Sequence, residues 1–533
     1  METSRRTLLT AGLGAGIGAG LAVAAPAASL ATPGSARGAA LTGDPFTLGV
    51  ASGDPWPDGF VLWTRLALDP LAEDGLGGMP NRPVQVSWEV AEDEGMSKVV
   101  KRGVEHARIE SAHSVHVELH GLKPGREYWY RFRSGRHVSP VGRALTTPAW
   151  GETPAALAMA FASCSQYEHG FFTAYKRLAE DQPDLVLHLG DYQYEYKKDV
   201  YVVGDGNVRD HKGPETVDLP TYRLRHAQYK SDEDLQAAHA VAPWLVIWDD
   251  HEVDNNWADE IPENRDAAQW NDTTERFRAR RAAAFQAYWE NMPLRRPSMP
   301  AGNDLQIYRR IQWGQLANFH MMDTRQYRDD QLAGDGWDKN VEARWDESRS
   351  ITGDAQEKWL LNGFRSSTAR WDVLGQQVFF AERDRAQATD VDDVSMDGWD
   401  GYAASRSRIV QGWQDAGVRN PVVLTGDVHR NWAADIKTDF QDPDAPVVGS
   451  ELVCTSITST GDGSGAVADP IMAWNPHLKF FNDQRGYVRT TITKDAMTAD
   501  FRVLDRVTTP GAPVYTKASY VIEDGVRGLQ RRA

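Results

Sequence analysis

At 533 residues, 41% hydrophobic and 25% charged, the chain is long enough for two or more domains around a sizeable core, and its composition excludes the disordered and fibrous classes. Its formal charge is −17, and Lys and Arg form no basic stripe, which excludes an electrostatic grip on nucleic acid or tight docking on an anionic membrane. An enzyme acting on small anions stays open, because bound cations reverse a local field. Two cysteines, Cys164 and Cys454, are too few to staple a secreted scaffold, so the core has to supply stability; a single disulfide between them stays open. Most of the 19 tryptophans read as core filling.

In chain order, Ser4-Arg5-Arg6-Thr7-Leu8-Leu9 precedes a Gly/Ala-rich, moderately apolar stretch that ends in small residues, Ser29-Leu30-Ala31. A charged start, an apolar middle and a small-residue end predict a signal peptide over residues 1–31, and the paired arginines predict its twin-arginine form. A membrane anchor fits less well, since the stretch is rich in Gly, Ala and Pro, and no later run is long and apolar enough for a span. The expectation is a protein exported folded by the twin-arginine translocase, secreted or extracytoplasmic, with the cell wall as its only tether. Residues 32–43 read as a linker.

From 44 to 148 the pattern is β. Val84–Val90, Val115–Leu119 and Tyr128–Phe132 alternate apolar and polar residues, with turn residues such as Lys123-Pro124-Gly125 between them. The run Leu119 to Tyr128 resembles the tyrosine corner of fibronectin type III sandwiches, in which a Tyr hydroxyl bonds back to the preceding loop. This predicts an all-β N-terminal sandwich with no cluster of catalytic residue types and a packing role.

From 155 to 533 short apolar runs alternate with helical stretches, Phe171–Asp181 and Thr274–Tyr288 among them. The runs are Ala158–Ala162, Leu185–Leu189, Trp244–Trp248 and Pro421–Thr425, and alternating strands at Tyr487–Ile492 and Ala499–Leu504 complete a sheet. Buried strands with helical crossovers make an α/β core, in which ligands bind beyond the carboxyl ends of the strands. The segments 201–222 and 334–352 read as long loops over the site.

Each apolar run ends in groups able to bind a metal. These are Ser163-Cys164-Ser165-Gln166, then Gly190-Asp191-Tyr192-Gln193-Tyr194, then Asp249-Asp250-His251-Glu252 with Asn255-Asn256 behind, then Gly426-Asp427-Val428-His429-Arg430-Asn431. A lone Gly-Asp is usually a turn and a lone strand-end His is usually structural. Four such pieces on one sheet edge offer the convergence that a metal pair requires.

Gly190-Asp-x-x-Tyr194 resembles the second block of calcineurin-like metallophosphoesterases, Asp250-His251-Glu252 their Asn-His-Glu/Asp block, and Gly426-Asp427-Val428-His429 their closing His-x-His block. The usual opening Asp-x-His is replaced by Phe161 to Gln166. These departures together match the PhoD-like alkaline phosphatase family, which Gly49 to Pro55, Trp248 to Trp257 and Met322 to Arg328 also resemble. The resemblance implies a metallophosphoesterase-type layered α/β/β/α sandwich core, and a centre of one ferric ion, Fe(3+), with calcium, Ca(2+). By the same resemblance Cys164, Tyr194 and His429 match iron ligands, Asp191 the bridging carboxylate, and Asp250 and Asp427 calcium ligands. The chemistry agrees: thiolate and phenolate suit a trivalent ion, and Asp in place of Asn and His supplies the oxygen that calcium prefers. A ligating Cys164 cannot also pair with Cys454, which then reads as a buried apolar thiol.

The implied reaction is hydrolysis of small phosphate esters, with a water made nucleophilic by the metals. His251 is the candidate to contact a phosphate oxygen or protonate the leaving group, and Asn256 and Arg325 are candidates to hold the phosphate. Arg430 and Asn431 are placed to support a ligand, while Asp249, Glu252 and His188 fit ligand orientation or simple core satisfaction equally. The nearest rival is a phospholipase D-like phosphodiesterase on the same fold, acting on phospholipid or nucleotide diesters. A remoter one is a non-catalytic wall- or carbohydrate-binding protein.

Overall fold

A computed structural model describes residues 41–204, 206–263, 271–388 and 390–532. The expected signal peptide and all of the expected linker up to residue 40 lie outside the described residues. The fold is mixed α/β. A ten-stranded sheet runs in the order Gln530–Arg532, Val514–Glu523, Ala496–Leu504, Gly486–Thr493, Ala156–Ala162, Leu185–Leu189, Pro243–Ile247, Val50–Trp56, Gly59–Arg65 and Ser114–Glu118. A seven-stranded sheet runs Arg309–Trp313, Ala317–Met321, Trp371–Gly375, Pro421–Thr425, Val447–Val453, Asn431–Lys437 and Leu478–Asn482. The central strands of each are parallel to one another. All four predicted apolar runs are strands here. Leu185–Leu189, Pro243–Ile247 and Pro421–Thr425 are buried at every position, so both faces are covered and their sequences carry no polar alternation.

Neighbouring residues of the seven-stranded sheet enter different cores, as the period-two geometry of a strand requires. Val373, Val422 and Leu424 join a cluster that includes Leu187, Leu189 and Val246 of the ten-stranded sheet. Leu374 and Val423 instead meet Leu360 and Phe364 of the helix Gly353–Ser366, and Ile409 and Trp413 of the helix Ala403–Ala416. The helices Thr173–Glu180 and Glu233–Val241 contribute Tyr175, Leu178, Leu235 and Ala238 to the first cluster. Their ends are set locally. Asp232 caps the second helix by accepting from the Asp234 and Leu235 amides, and Gly417, at φ +63°, closes Ala403–Ala416 in the left-handed cap that glycine adopts freely. Among the described residues eight tryptophans, Trp63, Trp244, Trp371 and Trp432 among them, are less than 2% exposed, as core filling requires.

The N-terminal strands do not all stand apart. Val50–Trp56 pairs in parallel with Pro243–Ile247, so it and its two neighbours extend the ten-stranded sheet. Val84–Ala91, Val99–Ala107, Glu127–Ser134, His137–Val138 and Gly142–Leu145 form a separate five-stranded sheet. The Tyr128 hydroxyl accepts from the Lys123 amide at 3.0 Å, the return bond expected of the corner. The segment 201–222 is not all loop. A helix opens at Leu219, where the Asp218 side chain accepts from the Thr221 amide at 3.0 Å and Pro220 sits in the first turn. Pro220 is therefore a helix-start signal here rather than a loop signal. In the segment 334–352, Trp337–Lys339 pairs with Asp393–Ser395.

Candidate metal centre

The site forms where the carboxyl ends of strands from both large sheets meet. Ser163 and Ser456 bridge the two sheets, and the approach leaves no room for a side chain at Gly426, where a Cβ would stand 2.6 Å from Ser163 Oγ. Gly190, at φ +102°, likewise abuts Asp249, whose amide nitrogen would lie 2.7 Å from an added Cβ. Just past the strands, Cys164, Asp191, Asp427 and His429 all adopt left-handed backbone, with φ of 61°, 53°, 61° and 56°. For residues with a Cβ each such conformation costs roughly 1–3 kcal/mol, and such strain concentrates at functional sites. It turns the four side chains off the strand axes.

These side chains converge. Ligand atoms of Cys164, Asp191 and His429 lie within 4.8 Å of one another; so do those of Asp191, Asp250 and His251, and those of Asp249, Asp250 and Asp427. Asp191 belongs to the first two groups and Asp250 to the last two, so the donors form one continuous chain. Tyr194 joins it: its hydroxyl donates to Asp191 Oδ2 at 2.8 Å and lies 3.2 Å from His429 Nε2. All six candidate ligands, Cys164, Asp191, Tyr194, Asp250, Asp427 and His429, are thus brought together.

The electrostatics of the cluster call for positive charge. Burial, with neighbouring carboxylates, raises Asp191 and Asp249 well above the carboxylate range, and burial with Asp397 raises Asp427 to about 7. Burial also works to raise Asp250, but Arg325 and His251 overcome it and hold this carboxyl low. Burial and then Asp191 push up both the Cys164 thiol and the Tyr194 phenol, while burial keeps His429 neutral. Asp191 Oδ1, Asp249 Oδ2 and Asp250 Oδ1 are buried without a hydrogen-bond partner. Unsatisfied oxygens in a crowded carboxylate set fit a bound cation, and the adjoining thiol, phenol and imidazole fit a softer or trivalent one.

Of the three residues expected to handle phosphate, two reach the cavity. It measures about 350 Å³ and is lined by Asp191, Asp250, Asp427 and His429, by His251, Asn255 and Asn256, and by Tyr196, Val200 and Tyr201. Arg325 is placed differently. It is 0% exposed, with Nε on Asp249 Oδ1 at 2.6 Å and Nη1 and Nη2 on Asp397 at 2.8 and 3.1 Å, so its fork is spent on protein carboxylates. Glu252 accepts the amides of Asp191 (3.0 Å), Tyr192 and Asp249 (2.8 Å), and so orients two strand ends; burial raises it to about 8. His188 belongs to the core, on the Tyr175 hydroxyl at 2.8 Å and stacked on Trp244. Asn431 Oδ1 takes the Thr455 amide at 3.0 Å, and Arg430 is exposed. Both cysteines are free, and Cys454 Sγ lies 3.5 Å from Ser163 Oγ, so the disulfide left open above does not form.

Several neighbours escape sequence reasoning. Thr460 Oγ1 holds His429 Nδ1 at 2.8 Å, and Ser459 Oγ lies 2.7 Å from the Tyr194 hydroxyl. Both follow the strand Val447–Val453, a fifth strand end, where Cys454 turns to Ser163 and the hydroxyls of Ser459 and Thr460 reach the site. Glu195 holds His251 Nδ1 at 2.8 Å, and its only signal is its place directly after Tyr194.

Comparison with known proteins agrees with this geometry. Residues 159–501 match the family model described as PhoD-like phosphatase, and residues 31–148 match that of the PhoD-like phosphatase N-terminal domain. The chain is similar to alkaline phosphatase D of Bacillus subtilis (strain 168), at 51% identity over 490 residues that cover 91% of this chain and 82% of that protein. It is also similar to the solved structure described as "Structure of PhoD", with a TM-score of 0.89 and 50% identity over 92% of this chain and 93% of the other.

Proposed function

The chain belongs to the PhoD-like phosphatase family and is a phosphoric ester hydrolase, and from that premise we propose that it cleaves phosphate monoesters and diesters at a centre of one ferric ion and calcium. The observation that carries this reading is the unbroken chain of donors from Cys164 through Asp191 and Asp250 to Asp427. In it Cys164, Tyr194 and His429 would hold the iron, Asp250 and Asp427 would hold calcium, and Asp191 would serve beside both. When bound, the pair supplies an activated water as nucleophile and positive charge for the phosphoryl oxygens.

The remaining work falls to the chain. His251 lines the cavity with Nδ1 committed to Glu195, so Nε2 faces the ester and gives a proton to the leaving oxygen. Asn256, on the same wall, holds a non-bridging oxygen. Arg325 acts through Asp249 and Asp250 rather than on the phosphate. Tyr196, Val200 and Tyr201 give the leaving group an apolar side. A second hollow of about 480 Å³ also borders Asn256, and it supports room for a second ester substituent, with nucleotide and phospholipid diesters within reach. Enzymatic hydrolysis displaces the non-catalytic binding-protein reading.

We read the facing sheets with their outer helices as the metallophosphoesterase α/β/β/α layering. The Tyr128-cornered sheet, with Val50–Trp56, Gly59–Arg65 and Ser114–Glu118 at the edge of the ten-stranded sheet, we read as a fibronectin III-like sandwich. Residues 1–31 are a twin-arginine signal that exports the folded, metal-loaded protein to the cell exterior. Among the described residues no helix is long and apolar enough to cross a membrane.

The test is elemental analysis of protein recovered from the culture medium, with rates on a phosphomonoester, a phosphodiester and phosphatidylcholine. Stoichiometric iron and calcium are expected, and the Cys164→Ala variant is expected to lose iron and activity together. Full iron and full activity in that variant would sink the assignment.

A further inference from the structure

Glu195 is wholly buried, and both of its oxygens are spent on a single loop. Oε2 accepts from His251 Nδ1 at 2.8 Å, and Oε1 accepts from the Asn255 amide at 3.0 Å. Its neighbours grip the same imidazole. Gln193 Nε2 donates to the His251 carbonyl at 2.7 Å, the Tyr194 ring stacks on the imidazole at 4.1 Å, and the Tyr196 ring meets it edge-on at 5.4 Å. Four consecutive residues therefore fix the backbone, a face, an edge and one nitrogen of His251. The other nitrogen, Nε2, lies on the carboxylate side, 4.0 Å from Asp250 Oδ2. A histidine ring rotates about χ2 between two broad, roughly equivalent wells, so packing alone does not choose which nitrogen faces a cavity. A carboxylate on Nδ1 does choose.

We propose that Glu195 is a positioning residue for ester cleavage. It fixes the His251 ring so that Nε2 is presented to the leaving oxygen, while its Oε1 holds the Asn255 amide, a role that a glutamine oxygen keeps. The inference rests on the phosphoesterase reading above, and the two fail in different ways.

The experiment compares ethyl phosphate, whose alkoxide needs a proton to leave, with 4-nitrophenyl phosphate, whose phenolate leaves without one. Metal content is measured on each holoenzyme. Glu195→Gln is expected to lower kcat for ethyl phosphate by about 10- to 100-fold, the range seen when a partner that orients a catalytic group is lost. For the nitrophenyl ester the loss stays below about threefold, KM moves less than about threefold, and metal content is unchanged. Glu195→Asp recovers part of the ethyl phosphate rate. In a His251→Ala background Glu195→Gln adds no further loss, since the two residues act as one unit. Equal losses on both esters, additive losses in the double variant, or metal loss that tracks activity would each overturn the proposal. A metal-loaded wild type that hydrolyses neither ester would overturn the reading beneath it as well.

Discussion

Arg325 and Asp249 fasten the two large sheets together at the site. The guanidinium, just past the strand Ala317–Met321 of one sheet, donates from Nε to Asp249 Oδ1 at 2.6 Å, just past the strand Pro243–Ile247 of the other, and both residues are 0% exposed. The same guanidinium makes a two-pronged contact with Asp397 and lies 3.6 Å from Asp250.

Replacement of Arg325 by Met therefore strands buried carboxylates without their counter-charge. The expected cost is about 3–5 kcal/mol of folding stability, read by urea unfolding of the metal-loaded protein. Arg325→Lys recovers only part of it, because a single ammonium cannot span Asp249 and Asp397 at once. Full stability in the Met variant would show that the fork is dispensable.

Metal removal exposes the repulsion among Asp191, Asp249, Asp250 and Asp427. A chelator is expected to lower the thermal midpoint and excess calcium to restore it. The linkage is worth about 2.7 kcal/mol when the free cation is at a hundred times its Kd. Asp427→Asn relieves one charge, so its metal-free form is more stable than metal-free wild type, and its midpoint responds less to chelator. Calorimetry of both proteins with and without chelator tests the order.

Gly426 is a tight point of the seam, since an added Cβ would lie 2.6 Å from Ser163 Oγ and 2.7 Å from Ser163 Cβ. Gly426→Ala is expected to cost about 1–3 kcal/mol, as overpacking does, and to lower activity by moving Asp427 against Cys164. Ser163→Gly in the same chain removes both clashing atoms and restores most of the stability. A double variant no better than the single one would show that the two loops do not set each other's position.

His188 gives a pH dependence of defined sign. Burial, and then the charge of Lys230, lowers it from 6.5 to about 3, so the folded protein keeps it neutral where the unfolded chain protonates it. The stability that wild type holds at neutral pH falls as pH drops below about 6.5 and goes on falling toward about 3. Relative to a His188→Leu variant, wild type loses about 2 kcal/mol between pH 6.5 and 5, at about 1.4 kcal/mol per pH unit. Denaturant midpoints of the two proteins across that interval decide it, and parallel curves would refute the assignment.

The candidate ligands were legible because their types are rare just past apolar strands. Cys164, Asp191, Asp250 and His429 each lie within four residues of the end of a buried run, and a chain passing from a core into a loop has little reason to place thiol, carboxylate and imidazole there unless they are used. The N-terminal strands were legible as strands but not in their partnership. Val84–Ala91 and Glu127–Ser134 show themselves by alternation, whereas Val50–Trp56 is buried at every position but Trp56, and its sequence says nothing of Pro243–Ile247, which pairs along its edge.

What the sequence determined by itself is local. It carries the period of burial, the places where runs end, and the chemical types at those ends, since each depends on a residue and its near neighbours in the chain. Only the tertiary structure decided what depends on distance between remote segments. Arg325 resembled a phosphate clamp until three carboxylates from other loops were seen to occupy it, and Glu195 had no role legible in the sequence, one that only the His251 imidazole 2.8 Å away reveals. Hydrogen bonds need contact and Coulombic energy grows as 1/r on approach, so which charge meets which is settled by the fold that brings them there.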